Sequence, residues 1–142
     1  LLAYDEDSAG RIMTTDIVQM SAETSVAAAM AAIRALEELP DPLLAVYVVR
    51  GEPPQLCGIV RLRQLITGEP AMLLEELMEA DIPSVQPDDR AEDAARLLAE
   101  YNLLAIPVID AEERFIGVVT VDDALAVLLP EIWQRRGARI FS

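Results

Sequence analysis

The chain repeats itself, and that repetition limits its fold more than any other feature. Ile12-Met13, the apolar-periodic run 24–33, the run Val46–Val49 and the segment Gly58-Ile-Val-Arg-Leu-Arg-Gln-Leu65 recur in the same order. Their counterparts are Leu77-Met78, the run 89–98, Ile106–Ile109 and Gly117-Val-Val-Thr-Val-Asp-Asp-Ala124. Met13 and Met78 are 65 residues apart but Gly58 and Gly117 only 59, so the first copy holds six extra residues. Leu39-Pro-Asp-Pro42 and Gly51-Glu-Pro-Pro54 are their natural hosts, being proline-rich as loops are.

Each copy reads as β-α-β-β-α. Short strands are expected at 17–20 and 84–86. A helix follows each, and in the second copy Ala91, Ala94, Ala95, Leu98 and Tyr101 recur at helical spacing. Asp88 or Asp89 is expected to cap it, with Glu92 in reach of a capping box. The strands at 46–49 and 115–120 are rich in β-branched residues, and the second copy's pair is joined by a tight connection at 110–114. Pro107 within a strand implies a bend or an unpaired ladder position. A last helix begins near Asp122, its partner near Leu62, the latter ending by Thr67-Gly68. About 60 residues bury too little surface to fold well alone. The fold class is therefore α/β (α+β), with two such repeats packed as a pseudo-symmetric pair around a shared core.

Composition excludes several functions. Apolar residues make up 53% of the 142 and aromatics 4%, so Leu, Ile, Val and Ala build the interior. Twenty-five acids against 11 bases give a net charge of −14, which repels nucleic acid and anionic lipid and attracts divalent cations or a basic partner. With one cysteine and no histidine, a disulfide within the chain, a Cys/His zinc site and histidine-based catalysis are excluded. Cys57 sits in an apolar run and reads as a small core residue, not a nucleophile. No phosphate loop or nucleophile–base pair appears, so an enzyme is not expected. No run reaches the ~18 apolar residues of a membrane span, and no signal peptide is visible. The start at Leu1-Leu2 reads as a piece cut from a larger protein.

The repeated glycine–strand–helix pattern resembles the CBS domain. The second copy carries it most fully, in Leu104-Ala-Ile-Pro-Val-Ile-Asp110 and Phe115-Ile-Gly-Val-Val-Thr-Val-Asp-Asp123. The resemblance runs over about residues 12–130 and implies a module with clefts that regulates an attached domain. The repeats fall at 12–68 and 77–130, preceded by a leading segment, 1–11, and followed by a tail, 131–142. A narrower resemblance is to the cytosolic CBS pair of MgtE-type magnesium transporters. It rests on Tyr4-Asp-Glu-Asp-Ser-Ala-Gly-Arg-Ile-Met-Thr-Thr-Asp16, Ala95-Arg-Leu-Leu-Ala-Glu-Tyr-Asn102 and Thr120-Val-Asp-Asp123. That resemblance implies a homodimer, a membrane transport domain in the parent protein and a cytoplasmic location at the inner membrane. It also implies Mg2+ sensing.

The resemblance carries two sets of site residues. CBS clefts that take ATP or AMP use a Ser or Thr after the glycine strand and an Asp three residues on, for the ribose hydroxyls. Thr120 and Asp123 match, although Thr or Asp there also caps a helix. The first copy has Arg61 and Gln64 instead, and Gln lacks the charged acceptors of a carboxylate. Arg61 or Arg63 either meets a phosphate or pairs with a surface acid. For Mg2+, a hard cation that takes oxygen ligands and keeps several waters, the resemblance points to Asp123, Glu92, Glu131 and the backbone oxygen of Ala99. Asn102, Arg90, Gln134 and Arg135 depart from it, standing where the transporters commonly carry acids. The tail 131–142 turns basic, with three Arg and Trp133. It either continues as a helix towards a membrane domain, with Trp133 and Phe141 near an interface, or packs on a partner subunit. Two rival readings stay open: a nucleotide sensor on another effector, and a ligand-free dimerisation scaffold.

Overall fold

A computed structural model describes residues 4–129. Chain order runs α1 (Ala9–Ile12), β1 (Val18–Ser21), α2 (Val26–Arg34), β2 (Ala45–Arg50), β3 (Gln55–Arg61), α3 (Leu62–Thr67) and α4 (Leu74–Leu77). It continues with α5 (Ala91–Glu100), β4 (Ala105–Ile109), β5 (Phe115–Thr120) and α6 (Val121–Leu128).

The chain forms two compact units, and neither is one continuous repeat. One takes in Asp16–Ile82 and Glu112–Phe115; the other takes in residues up to Thr15, Pro83–Ala111 and the chain from Ile116. The first unit holds a three-stranded sheet, β1-β2-β3, with β1 parallel and β3 antiparallel to β2. The second holds β4 and β5. Val85 adds a single parallel bridge to Val108, its N–H donating to Pro107 O at 2.9 Å and its carbonyl accepting from Ile109 N at 2.8 Å. The strand expected at 84–86 is therefore one bridge long, because Pro83 and Pro87 flank it and neither has an N–H to donate. Pro107 lies inside β4 and serves that bridge through its carbonyl alone.

Strand pairing locates the extra residues of the first copy. Met20 pairs with Val48 and, 65 residues on, Val85 pairs with Val108. The offset falls to 60 at that strand and to 59 at the glycines. Five of the six thus lie between α2 and β2, and one beyond Val48, where the β2–β3 register shifts between Val48 and Val49.

The short segment that opens each copy packs into the unit built by the other copy. In one unit Ala9 N–H donates to Asp89 O at 2.7 Å, Gly10 N–H to Pro87 O at 2.8 Å, and Ala91 N–H to Asp7 O at 2.6 Å. In the other, Leu74 N–H donates to Thr24 O at 2.8 Å, Glu75 N–H to Ala22 O at 3.1 Å, and Val26 N–H to Met72 O at 2.8 Å. Every position differs by 65. Helix N-termini leave several donors unsatisfied, and here the segment that opens the opposite copy takes up two of them at α2, Val26 N–H to Met72 O and Ala27 N–H to Pro70 O, and one at α5, Ala91 N–H to Asp7 O.

The two glycines follow from this exchange. A Cβ on Gly58 would meet Glu79 O at 2.7 Å and Met78 Sδ at 2.8 Å. On Gly117 it would meet Thr14 O at 2.8 Å and Met13 Sδ at 2.9 Å. Each glycine lets an opening segment lie flat on a strand, bonded there by Ile59–Glu79 in one unit and Val118–Thr14 in the other.

Buried side chains gather in two clusters, one per unit, where the sequence suggested a single shared core. Val26, Ala29, Val46, Val48, Val60, Leu65 and Leu74 lead the first, with Cys57 half-buried against it. Ala9, Ala94, Leu98, Ile106, Val108, Val119 and Ala124 lead the second. Tyr47 and Phe115 pack with ring centroids 5.2 Å apart.

Capping departs from expectation at α5. Its N-cap is Arg90, with no side-chain cap. Asp89 instead accepts from Gln86 N at 2.8 Å, and Glu92 pairs with Arg90 at 3.5 Å, so the capping box does not form. The opposite copy's backbone, through Asp7 O, supplies what the side chain was expected to. At the other end Asn102 has φ 53°, with Asn102 N–H to Ala99 O at 3.3 Å and Leu103 N–H to Leu98 O at 2.8 Å. This is a Schellman closure, and Asn tolerates its left-handed residue.

Candidate ligand-binding site

β5 ends at Thr120 and α6 begins at the next residue, so the glycine strand delivers Thr120 to a helix N-terminus. Its Oγ1 accepts from Asp123 N–H at 3.1 Å, and the residue is buried. The cap uses one lone pair of the hydroxyl, whose own O–H remains a donor. Capping and ligand binding are therefore compatible at Thr120. Asp123 is half-buried in the first turn of α6, and no ion pair claims its carboxylate among the described residues. Thr14 lies beside them through its backbone pair with Val118, Thr14 N–H to Val118 O at 2.8 Å and Val118 N–H to Thr14 O at 3.0 Å.

The corresponding place in the first copy is built from different chemistry. Arg61 stands where Thr120 does, Gln64 where Asp123 does, and Glu79 where Thr14 does. Arg61 Nε and Nη2 donate to the two oxygens of Glu79 at 3.1 and 3.4 Å. Gln64 Oε1 accepts from Arg61 N–H at 2.9 Å, and its Nε2 donates to Leu77 O at 3.2 Å. Arg61 thus pairs with a surface acid, both side chains about half exposed. Arg63 is exposed. Glu79 gave no sequence signal of its own; the offset of 65 from Thr14 was the signal available.

Of the described residues named for Mg2+, Glu92 falls at one end of the α5–α6 pair, and Ala99 and Asp123 fall towards the other. Glu92 borders a cleft of about 160 Å³ lined by Asp7, Arg90, Ala91, Glu92, Val127 and Leu128. The start of α5 therefore lies beside the end of α6, and the two helices run in opposite directions. Asp123 lies near the other end of α6, roughly 8 Å from that cleft at ~1.5 Å rise per residue. Ala99 O, near the end of α5, already accepts from Tyr101 and Asn102 N–H. Glu131, Trp133, Gln134, Arg135 and Phe141 lie outside the described residues. Among the described residues, no three His, Cys, Asp or Glu side chains gather closely enough to hold a metal, and no helix is long and apolar enough to cross a membrane.

Comparison with known proteins gives this architecture a context. The CBS domain family matches at residues 9–69 and again at 74–130. The magnesium transporter MgtE of Enterococcus faecalis is 35% identical over 90% of this chain and 28% of its own length. MgtE of Thermus thermophilus is 36% identical over 92% of this chain and 29% of its own. The chain thus spans under a third of the curated relatives it matches. A crystal structure of the cytosolic domain of the Mg2+ channel MgtE in complex with ATP superposes with a TM-score of 0.83. It is 34% identical and covers 88% of this chain and 50% of that one.

Proposed function

This chain belongs to the CBS domain family, and on that premise we propose that it is the regulatory, ligand-sensing pair of an MgtE-type magnesium transporter. In this reading Mg2+ biases how two copies are held together and so gates a membrane transport domain in the parent protein. The observation that carries it is similarity to MgtE across nine-tenths of the chain, a span long enough to take in both repeats. Charge supports it: two chains of net −14 repel, and a divalent cation between them relieves that repulsion. One chain's described residues do not form a complete Mg2+ site. The ion keeps several waters and needs only one or two carboxylates from each side of a joint, for which Asp123 and Glu92 are candidates and Glu131 a further one. Such a joint is a two-state element biased by ion concentration, and its role is regulatory, not catalytic. Sedimentation velocity of the chain across 0.1–10 mM Mg2+ tests it. A dimer whose sedimentation coefficient rises with Mg2+ and not with Na+ at equal ionic strength is expected; a monomer indifferent to Mg2+ would defeat the reading.

A second reading has its own observation. The Thr120–Asp123 geometry leaves a hydroxyl donor and an unpaired carboxylate side by side, as a nucleotide's phosphate and ribose require. One similar structure is described as an ATP complex. ATP or AMP is the ligand in this reading, and Asp123→Ala abolishes its binding while Asp122→Ala does not.

A further inference from the structure

We infer that the basic tail, residues 130–142, folds back on its own chain and docks in the cleft where the opening segment meets the end of α6. Asp7, near the start of the described residues, and Leu128, near their end, line one cleft of about 160 Å³. The chain therefore enters and leaves this unit at the same place. Backbone pairing sets the meeting point. Asp7 O accepts from Ala91 N–H at the start of α5, and α6 runs back along α5 to bring Val127 and Leu128 beside them.

Two properties of the cleft match the tail. The first is apolar surface. Ala91, Val127 and Leu128 contribute to the lining, and Leu128 and Leu129 are 38% and 45% exposed. Large aliphatic side chains thus stay open to water where the tail begins, and the tail brings Ile132 and Trp133. Trp133 is five residues past Leu128, so even fully extended it stays within roughly 17 Å of the cleft. The second property is charge. Three of the chain's 11 bases, Arg135, Arg136 and Arg139, stand in the tail against one of its 25 acids, Glu131. The tail is a basic segment on a strongly acidic chain. At the cleft Asp5, Glu6 and Asp7 are exposed in a row, and none is in an ion pair among the described residues. The bases already nearby are engaged: Arg90 pairs with Glu92 at 3.5 Å, and Arg11 donates to Tyr4 O at 3.4 Å. Carboxylates without partners and guanidiniums tethered a few residues away meet at the high effective concentration of a short linker. A second copy's tail has no such advantage, so the occupant is the chain's own.

Trp133 is the chain's single tryptophan, so its fluorescence reports docking without a label. In the full chain it is expected to emit to the blue of a synthetic peptide of residues 130–142 and to be quenched by acrylamide several-fold less. The triple variant Asp5→Asn, Glu6→Gln, Asp7→Asn should move both readouts to the peptide's values. A second triple variant, Glu37→Gln, Glu38→Gln, Asp41→Asn, removes the same charge elsewhere and should leave Trp133 protected. All six side chains are exposed, so both variants should keep the fold, which circular dichroism checks. Protection should not depend on protein concentration. A Trp133 as accessible as in the free peptide overturns the inference. So does protection that survives the first variant or disappears in the second. Protection that is lost on dilution places the tail on a second copy and overturns it as well.

Discussion

Gly117→Ala tests the exchanged-segment architecture most sharply, because its sign depends on one close contact. Where space allows, replacing Gly by Ala stabilises a protein by about 0.4–1 kcal/mol through the unfolded state. At Gly117 the new methyl would lie 2.8 Å from Thr14 O and 2.9 Å from Met13 Sδ. The sulfur can swing away, but the carbonyl can move only with its backbone. That backbone is tied to Val118 by two hydrogen bonds, at 2.8 and 3.0 Å. Forcing a methylene into a filled site costs about 1–3 kcal/mol, and each hydrogen bond stretched or lost adds about 1 kcal/mol. Set against the entropic gain, the net expectation is a loss of roughly 2–4 kcal/mol. For a chain of this size that lowers Tm by roughly 6–14 °C in a thermal melt followed by circular dichroism. Gly58→Ala should cost a similar amount, since its methyl would meet Glu79 O at 2.7 Å. Met13→Ala should not rescue Gly117→Ala. A loss under about 0.5 kcal/mol, or any gain, would refute the claim that the opening segment lies against the glycine strand.

Other perturbations follow from local geometry. Asn102→Ala should cost about 1–2 kcal/mol in urea unfolding, because its left-handed φ crowds a Cβ that lacks Asn's local hydrogen bonding, whereas Asn102→Gly should be neutral or stabilising. Thr120→Ala removes the α6 cap and should cost about 1 kcal/mol, with Thr120→Ser retaining most of it. Burial pushes the Tyr47 phenol up from 10.0 to about 12. Its contribution is therefore complete below pH 10 and is lost as pH rises through 12, about 2–3 kcal/mol in all. Stability measured from pH 9 to 12 should fall less steeply in Tyr47→Phe, and equal slopes would count against the buried placement.

Much of the fold was legible where one copy could be checked against the other. The strands at 46–49 and 115–120 lie within β2 and coincide with β5, and the Ala-rich periodicity corresponds to α2 and α5. Helices α1 and α4, four residues each, were not legible, since one turn carries no periodicity. The exchange of opening segments was invisible too, because no local pattern says which copy's strand a segment lies on. The α5 cap was misjudged for a related reason. Asp89 and Glu92 have the right chemistry and spacing, but Asp7 O reaches Ala91 N–H from far along the chain. At the site, Thr120 with Asp123 and the departures Arg61 and Gln64 were readable from the repeat. The Arg61–Glu79 pair was not, since it joins residues 18 apart that only the folded strand brings together.

The most direct test of the regulatory reading is thermal unfolding of the purified chain with 10 mM Mg2+, against Ca2+, ATP and a salt control. Ligand at 100 times its Kd adds about 2.7 kcal/mol, a shift of several degrees. The account predicts such a rise with Mg2+, reduced in Asp123→Ala. Unchanged melting with Mg2+ and with ATP would contradict it and leave a CBS pair that serves as a scaffold.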